Sequence, residues 1–218
     1  MKIHFMTPCY GGQITEACFN SYIHWTAFAV KNEVPFDLDT LSNESNVNRA
    51  RNSCAAKFLA GDATHLMFVD ADIQWTPDSV IKLIKHNREL VGGIYPQKIL
   101  PTKMVVSTLT NGAVQGNLTE VGTMGTGFML IKRSVFKQMI DAGVTKYQDA
   151  NGVLGYAYDF FRCSVDSQGR YLTEDWTFCR EHRRLGGKVW ADTSIKLAHV
   201  GYHRFQPDLE QINGNSQH

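Results

Sequence analysis

The stretch HLMFVDADIQW, residues 65–75, ends an apolar run in two aspartates with one small residue between them. Leu66-Met67-Phe68-Val69 reads as a buried strand that delivers Asp70 and Asp72 to its end. Both flanks read as helices. Upstream, in LSNESNVNRARNSCAAKFLAG, residues Val47, Ala50, Cys54, Ala55, Phe58 and Leu59 form one apolar stripe, and Gly61 stops the helix. Downstream, Thr76-Pro77-Asp78 is a helix start: an N-cap, a proline at the first position and an acid in the first turn. Val80, Leu83 and Ile84 then face the core.

The same alternation continues outward. Residues 2–6 read as a strand broken by Thr7-Pro8 and Gly11-Gly12, and residues 13–31 as a helix carrying Ile14, Cys18, Tyr22, Thr26 and Ala29. Short strands are expected near 35–40 and at 90–95. Strand and helix in turn over the first hundred residues imply a parallel sheet of the α/β class. Beyond Pro101 the pattern changes. Strands are expected at 104–109, 118–121, 127–131, 155–163, 188–191 and 195–200, with helices at 134–142 and 173–185. The expectation is one α/β domain with a mixed central sheet: a Rossmann-like front half (1–100), a mixed back half (101–207) and a flexible polar tail (208–218).

Bulk composition narrows the function. The chain has 218 residues, 43% of them hydrophobic, enough for one sizeable core. Its net charge is +1, so no bulk field points to nucleic acid. The run Arg180, Arg183, Arg184 and Lys188 reads as a solvated helix face. The five cysteines form no C-x-x-C pair and sit among apolar neighbours. They read as reduced thiols of a cytoplasmic protein. No secretory h-region opens the chain, and no apolar run is long enough to span a membrane.

In an open parallel sheet, ligands bind beyond the carboxyl ends of the strands. On a continuing strand Asp70 and Asp72 would point the same way, because side chains alternate with period two. Two carboxylates held so repel each other, and a divalent cation, Mn²⁺ or Mg²⁺, relieves the repulsion and bridges to phosphates. A turn or helix-capping pair is the plainer reading. Arg51 falls inside the apolar stripe of its helix. A buried arginine needs an anion. That anion is Asp70 or Asp72, or the phosphates of a nucleotide.

Four segments, in order, carry a resemblance: MTPCYGG; NRARNSCAAKFLAGDATHLMFVDADI; VGTMGTGFMLIKRSVF; and TEDWTFCREHRRLGGKVWADTSIKLAHVG. Together they resemble glycosyltransferases of the GT-A fold, inverting and family-2-like, similar to small stand-alone bacterial or algal-virus domains. The resemblance implies sugar transfer from a nucleotide-sugar, a UDP-sugar or alternatively a GDP-sugar, to a hydroxyl of a carbohydrate or glycoconjugate, with Mn²⁺ or Mg²⁺. It implies that Thr7, Pro8 and Tyr10 hold base and ribose. Asp70, Ala71 and Asp72 form the D-x-D motif, with Asp72 the direct metal ligand and Asp70 near ribose and metal. Gly125 and Gly127 lie against the donor sugar, Asp175 is the catalytic base and His199 completes the metal site. Glu174 is the rival base. His203 and Arg204 are near enough in sequence to meet the diphosphate, Lys98 and Tyr95 to line the sugar pocket, and Trp176 faces acceptor or core. Other readings are a non-catalytic nucleotide-sugar or glycan-binding module, a retaining transferase, and an aspartyl phosphatase, whose D-x-D-x-[TV] the continuation Ile73-Gln74 does not match.

Overall fold

In the computed structural model, which describes residues 1–149, 152 and 154–206, the front of the chain runs β1 (Ile3–Cys9), α1 (Glu16–Lys31), β2 (Phe36–Ser42), α2 (Val47–Ala60), β3 (His65–Val69), β4 (Ile73–Gln74), α3 (Pro77–His86) and β5 (Leu90–Gly93). The remainder runs β6 (Val106–Thr108), β7 (Val114–Gln115), β8 (Leu118–Met124), β9 (Phe128–Lys132), α4 (Arg133–Asp141), β10 (Lys146–Gln148), β11 (Tyr156–Tyr158), β12 (Ser164–Val165), β13 (Tyr171–Leu172), α5 (Glu174–Arg184), β14 (Val189–Asp192), β15 (Ala198–Val200) and β16 (Arg204–Phe205). The tail expected at 208–218 lies outside the described residues.

The main sheet has the order β2-β1-β3-β9-β5-β14-β8-β6, with β7 on β8. β1 is parallel to both β2 and β3. β5, the last front-half strand, runs in the same direction as these, but it does not pair with them. β9, from the back half, lies antiparallel between β3 and β5, pairing His65 with Lys132 through Val69 with Phe128. The reason is burial. β3 and β9 are both apolar on each face, and pairing them places both in the centre of the sheet. The sheet is mixed, and its two halves interleave.

Alternation along β3 sends side chains to two cores. Leu66 and Phe68 join Cys54, Phe58, Phe136 and Phe178 under α2, α4 and α5. Met67 and Val69 join Trp25, Trp75, Val80 and Leu83 under α1 and α3. Each fully buried large apolar side chain contributes about 1.5–3 kcal/mol.

Two helix faces differ from the periodicity. On α1 the buried set is Cys18, Ser21, Tyr22, Trp25 and Ala29, while Thr26 is exposed. Trp25 fills the space because its indole packs on Phe5 at 5.1 Å. On α2, Val47 is exposed, and Arg51, Asn52 and Ser53 are buried beside the apolar stripe. The strand expected over 155–163 shortens to β11, paired with β10, and that over 195–200 shortens to β15. Arg180, Arg183, Arg184 and Lys188 pair with Asp166, Glu120, Glu181 and Glu120. Among the described residues, no helix is long and apolar enough to cross a membrane.

Candidate active site

The two aspartates do not continue β3. The chain turns after Val69, and Ile73 N–H donates to the Asp70 carbonyl at 3.1 Å. Three ties fix this turn. Asp70 N–H donates to Gly127 O (2.9 Å), Thr15 N–H to Ala71 O (2.9 Å) and Val200 N–H to Asp72 O (2.8 Å). Period-two geometry therefore does not apply, and the two carboxylates take different partners.

Asp70 belongs to Arg51. Nη2 of Arg51 donates to Asp70 Oδ1 at 3.0 Å and Oδ2 at 3.2 Å, and its Nε donates to Glu174 Oε1 at 3.1 Å. Arg51 is 4% exposed and its guanidinium stands over the Phe68 ring at 5.4 Å. Burial works against the charge, but Asp70 and Glu174 outweigh it and hold the guanidinium more firmly charged than usual. This triad, buried at Arg51 and Glu174 and half-buried at Asp70, joins α2, the β3 end and α5.

Asp72 belongs to the other side of the site. Lys98 Nζ lies 2.5 Å from its Oδ2 and His199 Nε2 lies 3.3 Å from its Oδ1. Burial raises the Asp72 pKa, yet His199 and Lys98 outweigh that and hold it below the usual range. β4 and β15 make the encounter, since Ile73 pairs with His199. His199 Nδ1 faces the Pro96 carbonyl at 2.8 Å; a carbonyl only accepts, so Nδ1 carries the proton and Nε2 is turned to Asp72.

Among the described residues, no three His, Cys, Asp or Glu side chains converge as a ready metal cluster. The chain offers two donors, Asp72 oxygen and His199 nitrogen. That pair fits a divalent ion whose other ligands are phosphate oxygens and water. The hydrogen bond at Nδ1 is the support that metal-binding histidines ordinarily have. Asp70 does not stand with them: both of its oxygens face Arg51.

Glu174 is 8% exposed and committed to Arg51. Asp175, half-buried, accepts at Oδ1 from Trp176 N–H at 2.8 Å and from the Thr173 hydroxyl. Its Oδ2 has no hydrogen-bond partner among the described residues. Burial first, then the neighbouring Glu174 charge, raises its pKa above the usual carboxylate value. A carboxylate so placed is a competent proton acceptor. Trp176 is half-buried.

Gly125 and Gly127 lie beneath the site. Tyr95 Oη accepts from Gly127 N–H at 2.9 Å. A Cβ on Gly127 would stand 2.6 Å from that oxygen and 2.8 Å from Asp70 Oδ2, and one on Gly125 would overlap Tyr95 outright. Gly125→Ala is therefore expected to destabilise the fold by about 1–3 kcal/mol through overpacking. Urea unfolding should show a lower midpoint with an unchanged slope.

A cleft of about 730 Å³ opens beside Arg51, Asp70 and Asp72, and Gly125, Gly127 and Asp175 are not among the residues that line it. Pro8, Tyr10, Arg51, Ala71, Asp72 and His199 all contribute to its wall, and Tyr10 is 75% exposed. Thr7 does not reach it. Its hydroxyl is buried against Tyr22 Oη at 2.5 Å. His203 lines the cleft, whereas Arg204 is exposed on β16. The sequence reading missed Gln13, Glu44 and Tyr202, which line the same cleft from loops. It also missed the Lys98–Asp72 pair. Loop residues carry no periodic signal, so nothing local marks them.

No protein-family model matches the chain, and no curated protein matches its sequence. Solved structures do match. A197 from STIV superposes with a TM-score of 0.57 at 21% identity, over 92% of this chain and 86% of that one. The catalytic domain of Drosophila β1,4-galactosyltransferase 7, complexed with xylobiose, gives 0.50 at 16% identity, over 100% of this chain and 81% of that one. GalNAc-T7 with UDP, GalNAc and Mn²⁺ gives 0.51 at 10% identity, over 94% of this chain but 44% of that one. Identities this low speak for the fold alone. The chain has the GT-A fold of glycosyltransferases.

Proposed function

We propose that the chain is a metal-dependent, inverting glycosyltransferase. It takes a nucleotide-sugar, a UDP-sugar, and passes the sugar to a hydroxyl of a glycan or glycoconjugate. One observation carries the reading: Asp72 and His199 converge on the wall of a cleft of about 730 Å³. That volume is ordinary for a site holding a ligand of nucleotide-sugar size. The complexes of GalNAc-T7 with UDP and Mn²⁺ and of the galactosyltransferase with xylobiose support the ligand classes.

In this reading residues 1–100 hold the nucleotide and residues 101–207 the donor sugar and acceptor. Pro8 and Tyr10 flank the base, Tyr10 with its exposed ring, while Thr7 only supports them from the buried side. Ala71 lies along the ribose, and Arg51 holds Asp70 beside it. Asp72 and His199 hold Mn²⁺ or Mg²⁺. Bound there, such an ion supplies Lewis-acid stabilisation of the charge on the departing diphosphate. Gly125 and Gly127 leave room for Tyr95 beside Asp70 and so shape the donor-sugar side from beneath. Asp175 accepts the proton of the acceptor hydroxyl as that oxygen bonds to the anomeric carbon and the bond to the diphosphate breaks on the opposite face. One displacement inverts the centre. Incubation with Mn²⁺ and a panel of nucleotide-sugars tests this by release of nucleoside diphosphate, and the anomeric configuration of the product by NMR. No release with any donor would remove the transferase reading, and a retained configuration the single displacement.

The acid side of the rate profile follows from Asp175. A base works only when deprotonated. Its raised pKa means that activity is lost on acidification at a higher pH than for an ordinary aspartate. The kcat/KM profile should show this limb above the usual carboxylate range. A limb at or below that range would mean that burial does not tune the base.

A further inference from the structure

Resting on the metal-dependent reading above, the geometry of residues 96–98 points to a role for Lys98 that the motifs do not carry. We infer that Lys98 is the site's resident cation. It neutralises Asp72 in the ligand-free protein, competes there with the divalent ion, and turns to the diphosphate when ion and nucleotide arrive together.

The observations are these. Lys98 Nζ sits 2.5 Å from Asp72 Oδ2, on the carboxylate whose other oxygen faces His199 at 3.3 Å. Lys98 lines the same cleft as Asp72 and His199. Its side chain crosses Gly201 on the way: a Cβ on Gly201 would meet Lys98 Cδ at 3.2 Å and Cε at 3.5 Å. Any side chain at 201 would crowd that path. Two residues before Lys98, the Pro96 carbonyl accepts a hydrogen bond from His199 Nδ1–H. One short segment thus governs both prospective metal ligands. It is anchored at its base, where Gln97 N–H donates to Lys103 O at 2.7 Å and Pro96 bridges Met104, while Lys98 itself is exposed.

Charge arithmetic gives the consequence. A divalent ion held by Asp72 and His199 would stand within a few ångströms of an ammonium group, and like charges so close repel even near water. Either the ion is excluded or Lys98 leaves. A nucleotide diphosphate resolves the conflict, because its oxygens accept both the ion and the ammonium. Ion and nucleotide then enter as a pair, and each raises the affinity for the other.

The test uses Lys98→Met, which keeps the aliphatic stem over Gly201 and removes the charge, and Lys98→Arg, which keeps the charge. Free Mn²⁺ is followed by its electron paramagnetic resonance, without and with UDP, and UDP binding in Mn²⁺ by calorimetry. Without nucleotide, Lys98→Met should bind Mn²⁺ on the order of tenfold tighter than the natural chain, and Lys98→Arg should not. In Mn²⁺, Lys98→Met should bind UDP on the order of tenfold more weakly. If the natural chain and Lys98→Met bind Mn²⁺ alone equally, or bind UDP equally in Mn²⁺, the role of Lys98 is overturned while the metal-dependent reading stands. If UDP and Mn²⁺ together bind neither protein, that reading falls and the inference with it.

Discussion

Asp175→Asn is expected to lower turnover by about 10²–10⁴-fold, the contribution of a positioned general base, while UDP affinity in Mn²⁺ stays within about twofold. The substitution is nearly isosteric. The amide oxygen still accepts from Trp176 N–H, so the start of α5 keeps its form. What is lost is the ability to take a proton. Glu174 cannot substitute, because it is 8% exposed and held by Arg51 Nε at 3.1 Å. Steady-state kinetics give kcat, and calorimetric titration of UDP gives the affinity. Full turnover in this variant would remove Asp175 from the chemistry and turn attention to the acceptor-side loops.

The second large effect is on stability. Arg51→Met should destabilise the protein by about 3–5 kcal/mol, the range for removing one partner of a buried ion pair. Asp70 and Glu174 would be left facing each other without a cation in a partly buried space. At roughly 2–4 °C per kcal/mol for a chain of this size, Tm should fall by about 6–20 °C. The effect should be non-additive with Glu174→Gln: once Arg51 is gone, neutralising Glu174 restores part of the loss. A cycle in which the two changes simply add would mean that the triad does not act as a unit. Fluorescence-monitored unfolding of the two single variants and the double variant decides it.

What could be read from the chain without coordinates was whatever rests on local periodicity and on ordered motifs. The helix start at Thr76-Pro77-Asp78, the apolar strand before Asp70 and the anionic need of Arg51 are all short-range signals, and each has its structural counterpart in α3, β3 and the triad. That the sheet is mixed was legible too, but its strand order was not. β9 joins β3 across some sixty residues, and two runs that are apolar on both faces advertise burial but not partner or direction. The same limit applies at the site. Asp72 meets His199 because β4 pairs with β15, and meets Lys98 because a loop folds back, and neither encounter has a spacing rule. The same-side placement of Asp70 and Asp72 assumed a continuing strand. Ties from Gly127, Thr15 and Val200 turn the backbone there instead.

The central claim is that Asp72, with His199, grips a divalent ion that holds the diphosphate of a nucleotide. Titrating UDP into the protein in Mn²⁺ and again in a chelator, for the natural chain and for Asp72→Ala, addresses it most directly. The account predicts that Mn²⁺ strengthens UDP binding in the natural chain and that Asp72→Ala abolishes this gain. Equal UDP affinity with and without Mn²⁺, or a gain that survives Asp72→Ala, would contradict it.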